Sequence, residues 1–466
     1  MSAMLDIIVD IIARIKTRQH KPQPHKLHVN AEDNRHSDPQ QMPHHRHYGH
    51  KQVTVHIYSY FVAMAAVIIL LVTLAVPYSR FNPNRTLPPQ LVDQPVCGQW
   101  HIMFTSSSFR SVAALSDRDI WFAGMKRGLS NKLGPAFARW DGSTLTAMPD
   151  PNLEDAGAIG IEALAVRTDE DAWAVGYMLQ ERQNKLVSFH WNGKEWTLVP
   201  TPDPPSDKGE PVTSVPNKYA ELTAVTIVSE KNVWAVGHYP QNGLSKTLIL
   251  HWDGNQWEVI SSPNIEGTDN YLYGVVSISD DDIWALGHAG PTADQIITMA
   301  LHWDGISWKL VDVPDLGPVI AASSDSTGNI WVVNNNITAK NMLGSAVRRS
   351  GDGRWDVIPM PQVTQPALHS VSALSSDDVW AVGVKWSGYP PDAEPNQIAT
   401  RSLVLHWDGS NWSEVPGPDP SYIQSLEAVA VSLNGDVWVV GASAANKDSP
   451  VHWMVGRFVR CAVGQK

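Results

Sequence analysis

The chain has 466 residues, 43% of them hydrophobic, and a net charge of −12, so it is long and apolar enough to bury a large core. The charge is split: residues 1–80 hold nine Lys/Arg and five Asp/Glu, a balance of +4, which leaves −16 on the remainder. An acidic body excludes sequence-independent nucleic-acid binding, which needs basic surface to displace counterions. Two cysteines, Cys97 and Cys461, are too few for a cysteine metal cluster but enough for one disulfide.

In chain order, residues 1–52 read as a cytoplasmic His-rich tail. Its MLDIIVDIIARI stretch at 4–15 sets Leu5, Ile8, Ile12 and Ile15 on one helical face, a surface for the membrane or for a helix partner. From His20 to His50 the composition is His, Pro and Gln, which is that of a disordered polar linker. Next comes VTVHIYSYFVAMAAVIILLVTLAV at 53–76, 24 residues without Asp, Glu, Lys or Arg. At about 1.5 Å per residue this run crosses a hydrocarbon core of roughly 30 Å, and Tyr58, Tyr60 and Tyr78 stand at its ends as interfacial aromatics do. It is too long for the apolar region of a cleavable signal peptide. Eight Lys/Arg precede it, which predicts a single-pass transmembrane helix with its N-terminus inside the cell and the remaining chain outside the cell membrane. Residues 77–96, with Pro77, Pro83, Pro88, Pro89 and Pro95, form a Pro-rich stalk.

From residue 97 to 461 the chain repeats itself. LILHWDGNQWEV at 248–259 is a hairpin signature, written again as FHWNGKEWTLV at 189, ALHWDGISWKLV at 300 and VLHWDGSNWSEV at 404, with a worn copy, RRSGDGRWDVI, at 348. A second short strand accompanies it seven times: IWFAG, AWAVG, VWAVG, IWALG, IWVVN, VWAVG and VWVVG. Its tryptophans are Trp121, Trp173, Trp234, Trp284, Trp331, Trp380 and Trp438, spaced by 47 to 61 residues. Four short strands per period of about 50 residues predict an all-β, seven-bladed β-propeller of four-stranded blades.

These motifs resemble the kelch-like propellers, the fold of the galactose oxidase central domain: a Gly-ended second strand, a variable loop, an aromatic third strand, and a Trp opening the fourth, here Trp196, Trp257, Trp308, Trp355 and Trp412. The resemblance implies a rigid scaffold that carries recognition loops.

The last repeat lacks its fourth strand, and CGQWHIMF at 97–104 reads like the second half of the repeated hairpin. The N-terminal segment is therefore expected to close the ring as the outer strand of the last blade, leaving no free edge. That places Cys97 beside Cys461 and predicts a disulfide where the other blades have an Asp-Gly turn. His190, His251, His302 and His406 all precede the Trp-Asp/Asn-Gly of their repeats, and a repeated histidine reads as packing. The 1–2 and 3–4 turns share one face, short and repetitive. The 2–3 loops and blade connections share the other, long and varied, and variable loops on a rigid scaffold are where function sits.

On that long-loop face the candidate ligand-binding residues are Tyr177, His238, Tyr239, His288, Trp386 and Tyr389, rigid groups suited to a protein or glycan ligand. No catalytic constellation, no metal set and no cofactor motif stands out in the sequence. The expectation is a binding or sensor module outside the membrane and not an enzyme. A structural subunit of an envelope complex and a glycan-active enzyme are the alternatives.

Overall fold

The computed structural model describes residues 96–461, apart from 128–131, 152, 154–156, 181–182, 206–218, 292–294, 335–344, 387–399, 419–422 and 445–449. The tail, the apolar run at 53–76 and the stalk up to residue 95 lie outside the described residues. Among the described residues no helix is long and apolar enough to cross a membrane.

The strands form seven four-stranded antiparallel sheets, which are the blades I to VII of an all-β propeller. Their inner strands are Ser108–Ser116, Ala158–Thr168, Glu221–Ser229, Asp269–Ser279, Val319–Ser324, Ala367–Ser375 and Ile423–Val431. Each inner strand touches the next around the ring, and the first touches the last. The blades are held to one another by the tryptophans of their second strands. Trp121 meets Trp191 and Trp196 of blade II edge-on at 5.8 and 6.3 Å. Trp173 meets Trp252 and Trp257 at 5.0 and 5.2 Å, and Trp234 meets Trp303 and Trp308 at 5.0 and 5.4 Å. The contact runs on to Trp438, which reaches Trp140 of blade I at 5.3 Å. In blades II, III, IV and VI the two tryptophans bracketing the Asp/Asn-Gly turn are thus the socket for the preceding blade's tryptophan, which explains the repeat.

Each inner strand has one extra residue near its start, where the pairing with the second strand slips. The seven residues so bulged are Arg110, Glu162, Thr223, Tyr273, Ile320, His369 and Glu427. Each follows a buried Phe, Ile, Leu or Val. A bulge leaves its residue out of the ladder and re-aims its side chain; Thr223 Oγ1 and His369 Nδ1 reach from it to the Leu272 and Leu426 carbonyls of the next blade. The same bulge accounts for the Gly that ends the second strand. A Cβ at Gly124, Gly176, Gly237, Gly287, Gly383 or Gly441 would lie 1.9–2.1 Å from an inner-strand carbonyl oxygen. In blade V the position is held by Asn334, whose Nδ2 donates to the Leu316 carbonyl. The free inner edges are satisfied across blades. Ser111 Oγ accepts from the Leu164 amide at 3.1 Å, Ser370 Oγ accepts from the Val429 amide at 3.2 Å, and Thr223 Oγ1 donates to the Leu272 carbonyl at 2.6 Å.

Ring closure is as the sequence predicts. Trp100–Thr105 pairs with His452–Phe458 as the outer strand of blade VII. Cys97 and Cys461 are disulfide-bonded with their Cα atoms 4.7 Å apart, and the Gly98 amide donates to the Val459 carbonyl at 2.7 Å.

Candidate functional site

The short-turn face carries a repeated polar unit. His190 Nε2 lies 2.8 Å from Asp171, His302 2.9 Å from Asp282, and His406 2.9 Å from Asp378; His251 lies 3.1 Å from Asn232. Each imidazole stacks on its blade's buried tryptophan at 4.4–4.6 Å. In blades I and VII arginine replaces histidine: Arg139 and Arg457 sit over Trp121 and Trp438 at 4.7 and 5.3 Å and bond Asp119 and Asp436. Burial works to raise the Asp171 carboxyl, but hydrogen bonds from His190 and Arg167 outweigh it and hold it below the ordinary carboxylate range. A groove of about 600 Å³ between blades II and III opens beside this unit. Its charged groups already bond one another, Arg167 to Asp171 at 2.6 Å and to Glu230 at 2.8 Å. A unit repeated around the ring with its valences filled is framework.

The opposite mouth is built from groups that do not repeat. Inner strands start at the long-loop face, so the bulged residues stand near that end of the axis. Arg110 Nη1 contacts Glu427 Oε2 at 3.2 Å, and Ser425 Oγ donates to Glu427 Oε1 at 2.6 Å. Glu162 lies within the influence of both, and burial, reinforced by Glu427 and opposed by Arg110, raises its carboxyl. Glu221 begins the inner strand of blade III opposite His238, and its side chain is only 13% exposed. Burial and the neighbouring charge of Glu162, against Arg110, push it up to about 7. Among the described residues neither Glu162 nor Glu221 accepts a hydrogen bond.

His238 is 4% exposed. Its Nε2 lies 3.8 Å from Glu221 Oε1, beyond hydrogen-bond reach, and its buried Nδ1 has no partner among the described residues. Burial, with His288 adding, pulls it down to about 4, so it is neutral at physiological pH. Tyr271 meets it edge-on at 4.8 Å, and Tyr219 stands 6.0 Å away. Tyr273 stacks on His288 at 5.3 Å, and His288 Nδ1 donates to the Val319 carbonyl at 3.2 Å. Burial lowers His288 and raises Tyr273, the latter helped by the charge of Glu221. Tyr177 lies across Gly160, where a Cβ would come within 2.8 Å of its ring.

Three of the residues expected from the sequence, Tyr177, His238 and His288, thus share the mouth. Tyr239 does not reach it. Successive strand residues face opposite ways, and Tyr239 is buried in the core between blades II and III. Trp386 ends the second strand of blade VI, half-buried, with its amide donating to the Thr364 carbonyl at 3.1 Å, away from the cluster on blades II to IV. Tyr389 lies outside the described residues. Arg110, Glu162, Tyr219, Glu221, Tyr271, Tyr273 and Glu427 were missed. A signal existed for the bulged ones: aligning F-R-S-V, I-E-A-L, L-T-A-V, L-Y-G-V, V-I-A-A, L-H-S-V and L-E-A-V isolates one variable, often charged column inside an apolar strand.

No family model and no curated protein matches the chain. Solved structures of similar fold include YCF48 bound to a D1 peptide, at 10% identity and TM-score 0.48, covering 79% of this chain and 97% of that one. They also include a GH74 xyloglucanase from Xanthomonas campestris, at 15% identity and TM-score 0.47, where 76% of this chain matches 55% of the enzyme's length. A PL25 ulvan lyase is similar at 9% identity and TM-score 0.44, covering 75% and 94% of the two chains. At such identities the likeness is one of fold and assigns no activity. The expectation that the chain is not an enzyme is nevertheless corrected: glycan-active enzymes stand among these structures. The paired carboxyls that no sequence motif revealed are also present, brought together from two inner strands.

Proposed function

We propose that the chain is a kelch-like recognition propeller, anchored by residues 53–76 with its body outside the membrane, that receives its ligand at the channel mouth of the long-loop face. The observation carrying this is the cluster of part-buried Glu162 and Glu221, which accept no hydrogen bond among the described residues, with buried His238, whose Nδ1 has no partner among them. Framework indoles such as Trp121 and Trp173 also have a buried nitrogen without a partner among the described residues; the mouth differs in gathering ionisable groups with raised carboxyls at one end of the ring, where a ligand can supply the partners. Binding of the full chain to peptide and oligosaccharide arrays tests this. Hits should be lost in Glu221→Gln and kept in Asp377→Asn, a change on the short-turn face. Hits indifferent to Glu221→Gln put the working site elsewhere.

The raised carboxyls favour a second reading, acid–base chemistry on a glycan. Near neutral pH one of two adjacent buried carboxyls keeps its proton and can act as acid while its neighbour acts as base. Release of reducing or unsaturated ends from plant and algal polysaccharides, abolished in both Glu162→Gln and Glu221→Gln, would select it.

A further inference from the structure

The mouth has a chemical bias that narrows its ligand. Among the described residues its charged groups are one cation, Arg110, and four carboxyls, Glu162, Glu221, Asp269 and Glu427, of which Asp269 accepts from the Ser245 amide at 2.7 Å. Arg110 is already committed to Glu427 at 3.2 Å, and Glu427 takes a second bond from Ser425. The carboxyls left over, Glu162 and Glu221, are acceptors when ionised and have no donor among the described residues. His238, 96% buried on the 4% exposure it retains, offers an imidazole nitrogen that likewise has no partner. Tyr177, Tyr219, Tyr271 and Tyr273 supply ring faces and edges around these acceptors. Surplus negative charge, unfilled acceptors and electron-rich rings select an N–H-bearing cation. An anion is opposed by the carboxyls. A metal ion lacks its ligand set, since among the described residues no three His, Cys, Asp or Glu side chains are grouped to hold one.

We infer that the mouth captures a protonated amine or guanidinium, as a basic peptide side chain or a polyamine presents it, between Glu162 and Glu221. The inference rests on the reading of this mouth as the working site. The group enters with its N–H donors toward the two carboxylates and its carbon stem against the tyrosine rings. Two buried carboxylates repel one another when empty, and the cation removes that repulsion. Binding therefore strengthens as Glu221 loses its proton between pH 6 and 8. The other charged groups facing it are Arg110 and Glu427, paired at 3.2 Å, and Asp269, which accepts from the Ser245 amide. His238, pulled down to about 4, stays neutral, burial lowers His288, and Tyr177, Tyr219 and Tyr273, all raised, keep their protons.

The test is calorimetric titration of the purified full chain with four probes. These are the peptide Ac-Gly-Lys-Gly-Arg-Gly-NH2, its counterpart with Gln in place of both basic residues, spermidine, and a neutral β-glucan oligosaccharide. The expected result is binding of the basic peptide or of spermidine but not of the Gln peptide. The difference between those two cationic probes identifies the source of the cation. Affinity should fall at least tenfold from pH 8 to 6, and at least tenfold in Glu162→Gln/Glu221→Gln at pH 8. Tyr219, 44% exposed, supplies a control with little folding risk: Tyr219→Phe should retain binding and Tyr219→Leu should weaken it several-fold. Equal binding of basic and Gln peptides, or an unchanged affinity in the double variant with native near-UV circular dichroism, overturns the inference. Binding of the neutral oligosaccharide alone, lost in the double variant, overturns the cation while leaving the mouth as the working site. No binding by any probe overturns the cation, and the array result then decides on the mouth separately.

Discussion

The two ends of the propeller use the same residue types to opposite effect. At the short-turn end His190 and Asp171 bond at 2.8 Å, an arginine completes the carboxylate, and the imidazole rests on Trp173. At the long-loop end His238 and Glu221 stand 3.8 Å apart without a hydrogen bond, the imidazole far more buried than that of His190. The first arrangement recurs from blade to blade, and in blade II it holds Asp171 low; the second occurs once among the described residues and pushes its carboxyl up to about 7. A polar pair that is satisfied and repeated holds the ring together. A pair that is buried, open and unrepeated costs stability and is retained for another reason, as functional sites are.

The comparison can be broken first at closure, on the short-turn side. Joining residues 364 positions apart, the disulfide should contribute on the order of 6 kcal/mol by restricting the unfolded chain. Urea denaturation of Cys97→Ser/Cys461→Ser should show that loss, while ligand binding by the remaining folded protein stays unchanged. A loss of binding at full folding would mean that the two ends are coupled. Next, Asp171→Ala strands Arg167 and His190, whose side chains are about a third exposed. The expected cost is therefore about 2–3 kcal/mol, below that of a fully buried pair. Because Asp171 is held low when folded, its contribution is present above the unfolded carboxylate's pKa near 4 and is lost as the pH falls through the folded value. The gap between wild type and variant should close in acid.

At the mouth the sign reverses. Glu221 has a folded pKa raised above its unfolded value, so relative stability is full below about pH 4.5 and is lost as the pH rises to about 7. Glu221→Gln should stabilise the protein by about 1–3 kcal/mol at pH 8 and leave it unchanged at pH 4, read from urea midpoints at the two values. A destabilising result at pH 8 would make Glu221 framework and erase the contrast between the ends. The smallest effect belongs to Arg110→Gln. The Arg110–Glu427 pair is part-exposed, at 42% and 23%, and its loss should cost less than about 1 kcal/mol by the same titration. It also removes a cation that repels an incoming amine and frees Glu427, so tighter capture of an amine probe at pH 8 should accompany it.

The repeat, the blade count, the borrowed outer strand and the disulfide were legible in the sequence, because each rests on a local rule. Trp234 and the Asp253-Gly254 turn announce strand and hairpin within a dozen residues. Asp253 Oδ1 closes its turn by accepting from the amides of Asn255 and Gln256 at 2.7 and 2.8 Å. The histidine before that turn was read as packing because it repeats, and its stacking on Trp234 bears this out.

The mouth was legible only in part. His238 and His288 were found because they follow the glycine of the second-strand motif, whose repeat is strong. Glu162 and Glu221 were not, since a lone carboxylate at the start of an apolar strand carries no signature of its partner in another blade. Tyr239 was misplaced because the side to which a strand residue turns depends on its pairing register.

What the sequence determined by itself is the period: short strands, their turns and the tryptophan of each blade, all set by contacts between residues near in the chain. What only the tertiary structure decided is which side chains meet at the axis. Closing seven blades into a ring juxtaposes bulged residues from inner strands far apart in sequence, and the low-dielectric mouth they share then sets their charge. No residue carries that charge state in its own neighbourhood; it comes from burial and from carboxyls, a guanidinium and rings on other blades.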